Sequence, residues 1–125
     1  MSIVAPPDMD AAVTTYLRPL MPVPVVTRIP NPRPESLVRV SATGGIVANV
    51  AMASVTVLVE AWAPRKGDAS DLAREAWKAL RAADGEFLDG DVWASHVRLS
   101  VPIDFPDETS PRFQFTADMT VTMTS

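Results

Sequence analysis

Cysteine is absent from this 125-residue chain, which removes disulfides and thiolate-held metals as sources of stability and leaves that task to the core or to contact between copies. The usage fits a reducing compartment. Basic residues are also scarce. Eleven Lys and Arg stand against 15 Asp and Glu, a net charge of −4, the wrong sign for a protein that grips nucleic acid through many phosphate contacts. No apolar run approaches the roughly 20 residues of a membrane-spanning helix. The opening stretch MSIVAPPDMD lacks the basic start and apolar middle of a signal peptide. The expectation is a chain that stays in the cytoplasm and has no membrane partner.

Recognisable catalytic equipment is missing too. The single histidine, His96, falls on the polar side of a strand-like run and belongs to no triad motif, so it reads as a surface residue. The acid-rich stretch DGEFLDGD, Asp84 to Asp91, lacks the DxDxDG spacing of a calcium loop and reads as a helix-to-strand turn. TGG, Thr43 to Gly45, is followed by neither GK[ST] nor a helix, so it is not a phosphate cradle; the pair reads as a hairpin loop needing positive φ. No catalytic residue, cofactor or metal is expected.

What is present is ordinary for one globular domain over 1–125: 47% apolar and 21% charged residues. Asp8 suits the N-cap of a helix from Met9 to Leu20, with Met9, Val13, Tyr16, Leu17 and Leu20 on one stripe. VPVVTRI suits an edge strand because of Pro22 and Pro24, and Pro30, Pro32 and Pro34 suggest an extended, polyproline-like arm. Leu37–Ala42 reads as a short strand and Ser54–Ala63 as a longer one, with Val55, Val57, Val59 and Ala61 facing inward. Its other face, Thr56, Leu58, Glu60 and Trp62, is apolar enough to suggest cover by another chain.

GDASDLAREAWKALRAADG reads as a helix capped by Asp68 or Ser70 and stopped at Gly85, with Leu72, Ala73, Ala76, Trp77 and Leu80 buried. Val97, Leu99, Val101, Ile103 and Phe105 mark one face of a long strand. Phe113, Phe115, Ala117, Met119, Val121 and Met123 mark the next, joined to it by the turn-rich PDETSP. The resulting class is α+β: a mainly antiparallel sheet with two helices packed on one face.

Charge is uneven along the chain. Asp84, Glu86, Asp89, Asp91, Asp104, Asp107 and Glu108 face only Arg98, whereas Arg18, Arg28, Arg33 and Arg39 outnumber the acids of the first fifty residues. Either this reflects head-to-tail contact between copies or two solvated faces.

In their order and spacing, TRIPNPRPESLVRV, TGG, VTVLVEAWA, SDLAREAWKAL and LSVPIDFPDETSPRFQFTADMTVT resemble the tail terminator proteins of long-tailed bacteriophages, in the version common among phages of actinobacteria. The resemblance runs from Tyr16 to Thr124. It implies a non-enzymatic virion subunit, assembled in the host cytoplasm, that forms a homohexameric ring on the head-proximal end of the tail tube. Such a ring halts tube polymerisation and offers a head-joining surface.

Its implied partners are further copies of itself, the tail tube protein and the head-tail connector protein, with DNA only as passing cargo in the channel. On this reading Arg28, Pro30, Asn31, Pro32, Arg33, Pro34, Leu58 and Trp62 are candidates for the subunit interface. Gly44, Gly45, Ile46, Val47 and Asn49 are candidates for a channel or tube-facing loop. One departure stands out: the segment after TGG, often basic in that family, is here the neutral, apolar IVANVAMAS.

Two other readings remain. A head-tail connector or adaptor completion protein can share a similar scaffold. A small monomeric ligand-binding domain or enzyme would use the groove between helix and sheet, with His96 or the acids near Asp84 as polar anchors.

Overall fold

The structure, a computed structural model, describes residues 3–125; Met1 and Ser2, which open the stretch considered for a signal peptide, lie outside it. Helix α1 spans Met9–Leu17, and a 3₁₀ turn, Arg18–Leu20, follows it. Asp8 is the N-cap, its carboxylate accepting from the Ala11 N–H at 3.1 Å. The α-helix stops before Pro19, which has no N–H to continue the ladder. Met9, Val13 and Leu17 are buried as their spacing predicts, but Leu20 lies beyond the helix and is exposed.

The strands are β1 Val25–Val26, β2 Leu37–Val47, β3 Met52–Trp62, β4 Glu86–Asp89, β5 Val92–Leu99, β6 Ile103–Asp104 and β7 Arg112–Thr122, with helix α2, Lys66–Arg81, between β3 and β4. They form one sheet in the order β1-β2-β3-β7-β5-β4, with β6 pairing the other end of β7. Every pairing is antiparallel except β1 with β2. The fold is therefore α+β with a mostly antiparallel, curled sheet. Both helices pack into a single core cluster: α2 lies on β3, β5 and β7, while α1 touches both β2 and β4 near opposite edges.

β7 alternates as its sequence dictates. Phe115, Ala117, Met119 and Val121 are buried against the helices, and the threonines between them are half-buried on the outer face. In α2 the stripe Ala69, Leu72, Ala73, Ala76 and Leu80 is buried. Trp77 is only half-buried and donates from Nε1 to the Ser100 carbonyl at 3.0 Å. The N-cap of α2 is Arg65, without a side-chain bond, so neither Asp68 nor Ser70 caps it; Asp68 sits in the first turn, where its charge favours the positive helix end.

Four further expectations change. The glycine pair is not a hairpin turn: β2 continues through Gly44 and Gly45 to Val47, and the positive-φ glycines are Gly85 and Gly90. A bulge between Ala42 and Gly44 re-registers the strand. Gly45 is required because a Cβ there would stand 2.5 Å from the Ser54 carbonyl oxygen. The true turn is Ala48–Ala51, where the Asn49 carboxamide oxygen accepts from the Ala51 and Met52 amides at 2.8 and 3.0 Å.

DGEFLDGD is not merely a turn but contains β4, paired with β5. The long strand read from Val92 to Phe105 is broken. β5 carries a bulge between Ala94 and His96, the chain leaves the sheet at Ser100–Pro102, and β6 resumes beside β7. Val97 is buried, whereas Val101, Ile103 and Phe105 are exposed rather than sharing its inward face. Finally, the proline arm is not uniformly extended: it bends at Asn31 and Pro32, whose connecting peptide is cis.

Candidate functional site

The residues proposed for contact separate into two groups at opposite ends of the sheet. β2, β3 and β7 pair side by side from Leu37–Trp62–Arg112 at one end to Val47–Ala53–Val121 at the other. Ten residues of strand put these ends roughly 30 Å apart.

At the first end, the arm leaves β1 at Thr27, whose carbonyl accepts from Arg39 Nε at 3.4 Å. Arg28, Pro30, Asn31 and Pro32 are exposed, while Arg33 and Pro34 are half-buried. Arg33 fastens the arm to the turn before β7 through Asp107 at 3.9 Å. Beside it, the outer face carries a buried ionic centre. Glu60, 6% exposed, meets Arg112 at 3.3 Å and Arg39 at 3.8 Å. The Arg112 guanidinium lies 5.2 Å from both the Trp62 and Phe105 ring centroids, and its Nε donates to the Phe105 carbonyl at 2.9 Å.

This arrangement corrects the expectation that another chain covers the outer face at Trp62. Trp62 is 3% exposed because the chain itself folds back over it through Phe105 and Arg112. Leu58, half-buried, borders a small apolar depression with Val101 and Ile103. What this end offers outward is an apolar strip, Val101, Ile103 and Phe105, next to the arm.

At the opposite end, Gly44, Gly45, Ile46, Val47 and Asn49 are all exposed. Ile46 is 73% and Val50 88% exposed. Together with Pro6, Pro7, Met9, Ala53 and Val55, residues Ala42–Val47 line an open apolar groove of about 280 Å³. The groove exists because Gly44 and Gly45 contribute no side chain to it.

His96 and Asp84 do approach, with Nδ1 3.6 Å from the carboxylate, but the histidine is mostly exposed and the same carboxylate oxygen accepts from the Val97 amide. Among the described residues no group of three or more His, Cys, Asp or Glu is placed to hold a metal ion, and no helix is long and apolar enough to cross a membrane. Tyr16 has a perturbed side chain: burial, then the nearby Glu86 charge, raise its pKa above 10.0, and its hydroxyl donates to the Ala79 carbonyl at 3.0 Å. That bond joins α1 to α2, which is a structural role.

Sequence reasoning missed the strip Val101–Phe105 as a surface feature, because its alternation mimics an inward-facing strand. Pro102 within the run was the available signal for a break. No protein-family model matches the chain, and none of the curated proteins matches it.

Proposed function

We propose that this protein is a tail terminator subunit of a long-tailed bacteriophage. It assembles in the host cytoplasm into a six-fold ring on the head-proximal end of the tail tube, halts tube growth and presents the surface that joins the head connector. The observation that carries the reading is the pair of unlike apolar patches at opposite ends of the sheet: Ile46, Val47 and Val50 on one, Val101, Ile103 and Phe105 on the other. A ring is a closed heterologous contact and needs two different surfaces on every subunit.

The order of sequence motifs from Tyr16 to Thr124 supports the same reading. The arm Arg28–Pro34 lies beside the second patch and serves as a partly rigid strut at the subunit boundary, since fixed proline φ angles lower the ordering cost of docking. The exposed end of β2 and β3 meets the neighbouring subunit at the tube-facing or inner edge of the ring. An acidic balance lets DNA pass without sticking.

The test combines light scattering over a wide concentration range, negative-stain imaging of any large species, and cosedimentation with purified tail tubes and with portal-filled heads. Rings of about six copies that cosediment with tubes are the expected outcome. Binding to heads but not tubes marks a connector-side protein, and a strict monomer that ignores both overturns the assembly reading. Changing Pro30, Pro32 and Pro34 together to alanine is expected to weaken ring formation, and unchanged ring affinity rejects the strut.

A further inference from the structure

The free edges of this sheet are defended unequally. β4 is four residues long and carries Glu86 and Asp89. β1 is two residues long and follows Pro22 and Pro24. β6 follows Pro102 and carries Asp104. Short length, charge and proline are the devices that prevent a sheet from adding another strand. The far half of β2 carries neither the charge nor the proline.

From Ser41 to Ala53 the chain has no charged residue and no proline. β1 pairs only with Val38 and Arg39, and Ala42–Val47 are exposed. The Ala42 amide is occupied by the Asp10 carboxylate, so the open length begins after the bulge, at Gly44, and runs to Val47. A row of unpaired backbone donors and acceptors invites an incoming strand.

Side-chain size identifies that strand. Gly44 and Ile46 pair with Thr56 and Ser54 of β3, while Gly45 and Val47 pair with Val55 and Ala53; paired residues share a face of the sheet. Two residues without side chains therefore stand directly before two bulky, exposed ones. Antiparallel pairing of two such segments centred on Gly45 places each Ile46 opposite the other's Gly44. At the centre, the bare backbone of Gly45 allows close approach.

We infer that the exposed end of β2 pairs with the same segment of a second copy of this chain, about a two-fold axis at Gly45, so that one sheet runs through both molecules. The apolar groove along the edge, walled by Pro6, Pro7 and Met9, takes up side chains from the partner. Because the paired segment is short, the dimer is expected to be smaller than the roughly 1,200 Å² of stable complexes, hence weak and concentration-dependent. This contact does not rest on the ring reading, and because Ile46 and Val47 also belong to one of the two patches assigned to the ring, the two-fold pair is a contact of free subunits that ring closure would displace.

Sedimentation equilibrium of the full chain from micromolar to millimolar concentration is expected to show monomer and dimer in exchange. Ile46→Lys, at a position already exposed to water, is expected to weaken dimerisation at least about tenfold while leaving the thermal melt unchanged. Because the chain lacks cysteine, single Gly44→Cys and Ile46→Cys variants provide a register test. A mixture is expected to form the mixed disulfide in excess over either homodimer. A monomer throughout the range, equal association of Ile46→Lys and the parent, or no preference for the mixed disulfide overturns the inference.

Discussion

Arg112 of β7 and Glu60 of β3 are diagonal neighbours, Arg112 lying opposite Trp62 and Glu60 opposite Gln114, and their side chains meet at 3.3 Å with only 16% and 8% of them exposed. The pair is held between Trp62 and Phe105 on one side and Arg39 on the other. A charge in this setting is costly to leave alone. Arg112→Met is therefore expected to destabilise the protein by about 2–4 kcal/mol in urea unfolding. Adding Glu60→Leu to that variant is expected to restore much of the loss, and failure to do so places the cost in packing on Trp62.

The two central glycines of β2 have opposite requirements. Gly45→Ala drives a Cβ against the Ser54 carbonyl oxygen and is expected to cost about 1–3 kcal/mol. Gly44 has open space around its Cβ position and an ordinary negative-φ backbone, so Gly44→Ala is expected to be neutral or to stabilise by up to about 1 kcal/mol. Chemical denaturation at low protein concentration checks both. Equal effects at the two sites would place the strand differently.

Asn49 closes the β2–β3 turn through two amides, those of Ala51 and Met52. Asn49→Ala is expected to lose about 1 kcal/mol and to accelerate hydrogen exchange at those two amides while leaving the middle of β3 protected. Unchanged exchange at both would remove the role assigned to the side chain.

Tyr16 is the only tyrosine in the chain, so tyrosinate absorbance reports it alone. Its folded pKa is raised, first by burial and then by Glu86. A raised pKa means that the folded state holds its proton longer than the unfolded chain does. The resulting stability is fully present below pH 10 and is lost as pH rises through the folded value. The absorbance midpoint is expected above 10 in the folded protein and to fall on unfolding. Tyr16→Phe is expected to remove this alkaline loss, at a cost of about 1 kcal/mol at neutral pH from the missing bond to Ala79.

Legibility in the sequence followed burial. The stripes of α2 and β7 were readable because Leu72, Ala76 and Leu80, or Phe115, Ala117, Met119 and Val121, repeat at one spacing and meet one environment. β4 escaped notice because Glu86, Asp89 and Gly90 have turn-like composition, and only its place between β5 and α1 makes it a strand. The glycine pair misled for a related reason: at Gly45 the need is for closeness to Ser54 rather than for positive φ.

For the candidate site, the sequence singles out Ile46, Val47, Asn49 and the arm as contact residues; the structure places all of them at the surface except Arg33 and Pro34, which are half-buried. The enclosure of Trp62 is not legible in the sequence. It depends on Phe105 and Arg112 folding over the outer face, a tertiary event that leaves no periodic trace.

β3 is paired along its whole length to β2 on one side and β7 on the other, and the second of these partners runs from Arg112 to Thr122. During synthesis, Val57 and Val59 leave the ribosome well before Phe115, Ala117 and Met119, which share their side of the sheet. The nascent chain therefore lacks Phe115, Ala117, Met119 and Val121 from its core until this late strand emerges, with pairing across long sequence separations slow by nature. Protection of that interval, by helix α2 lying over β3 or by a chaperone, governs how much newly made protein reaches its native form.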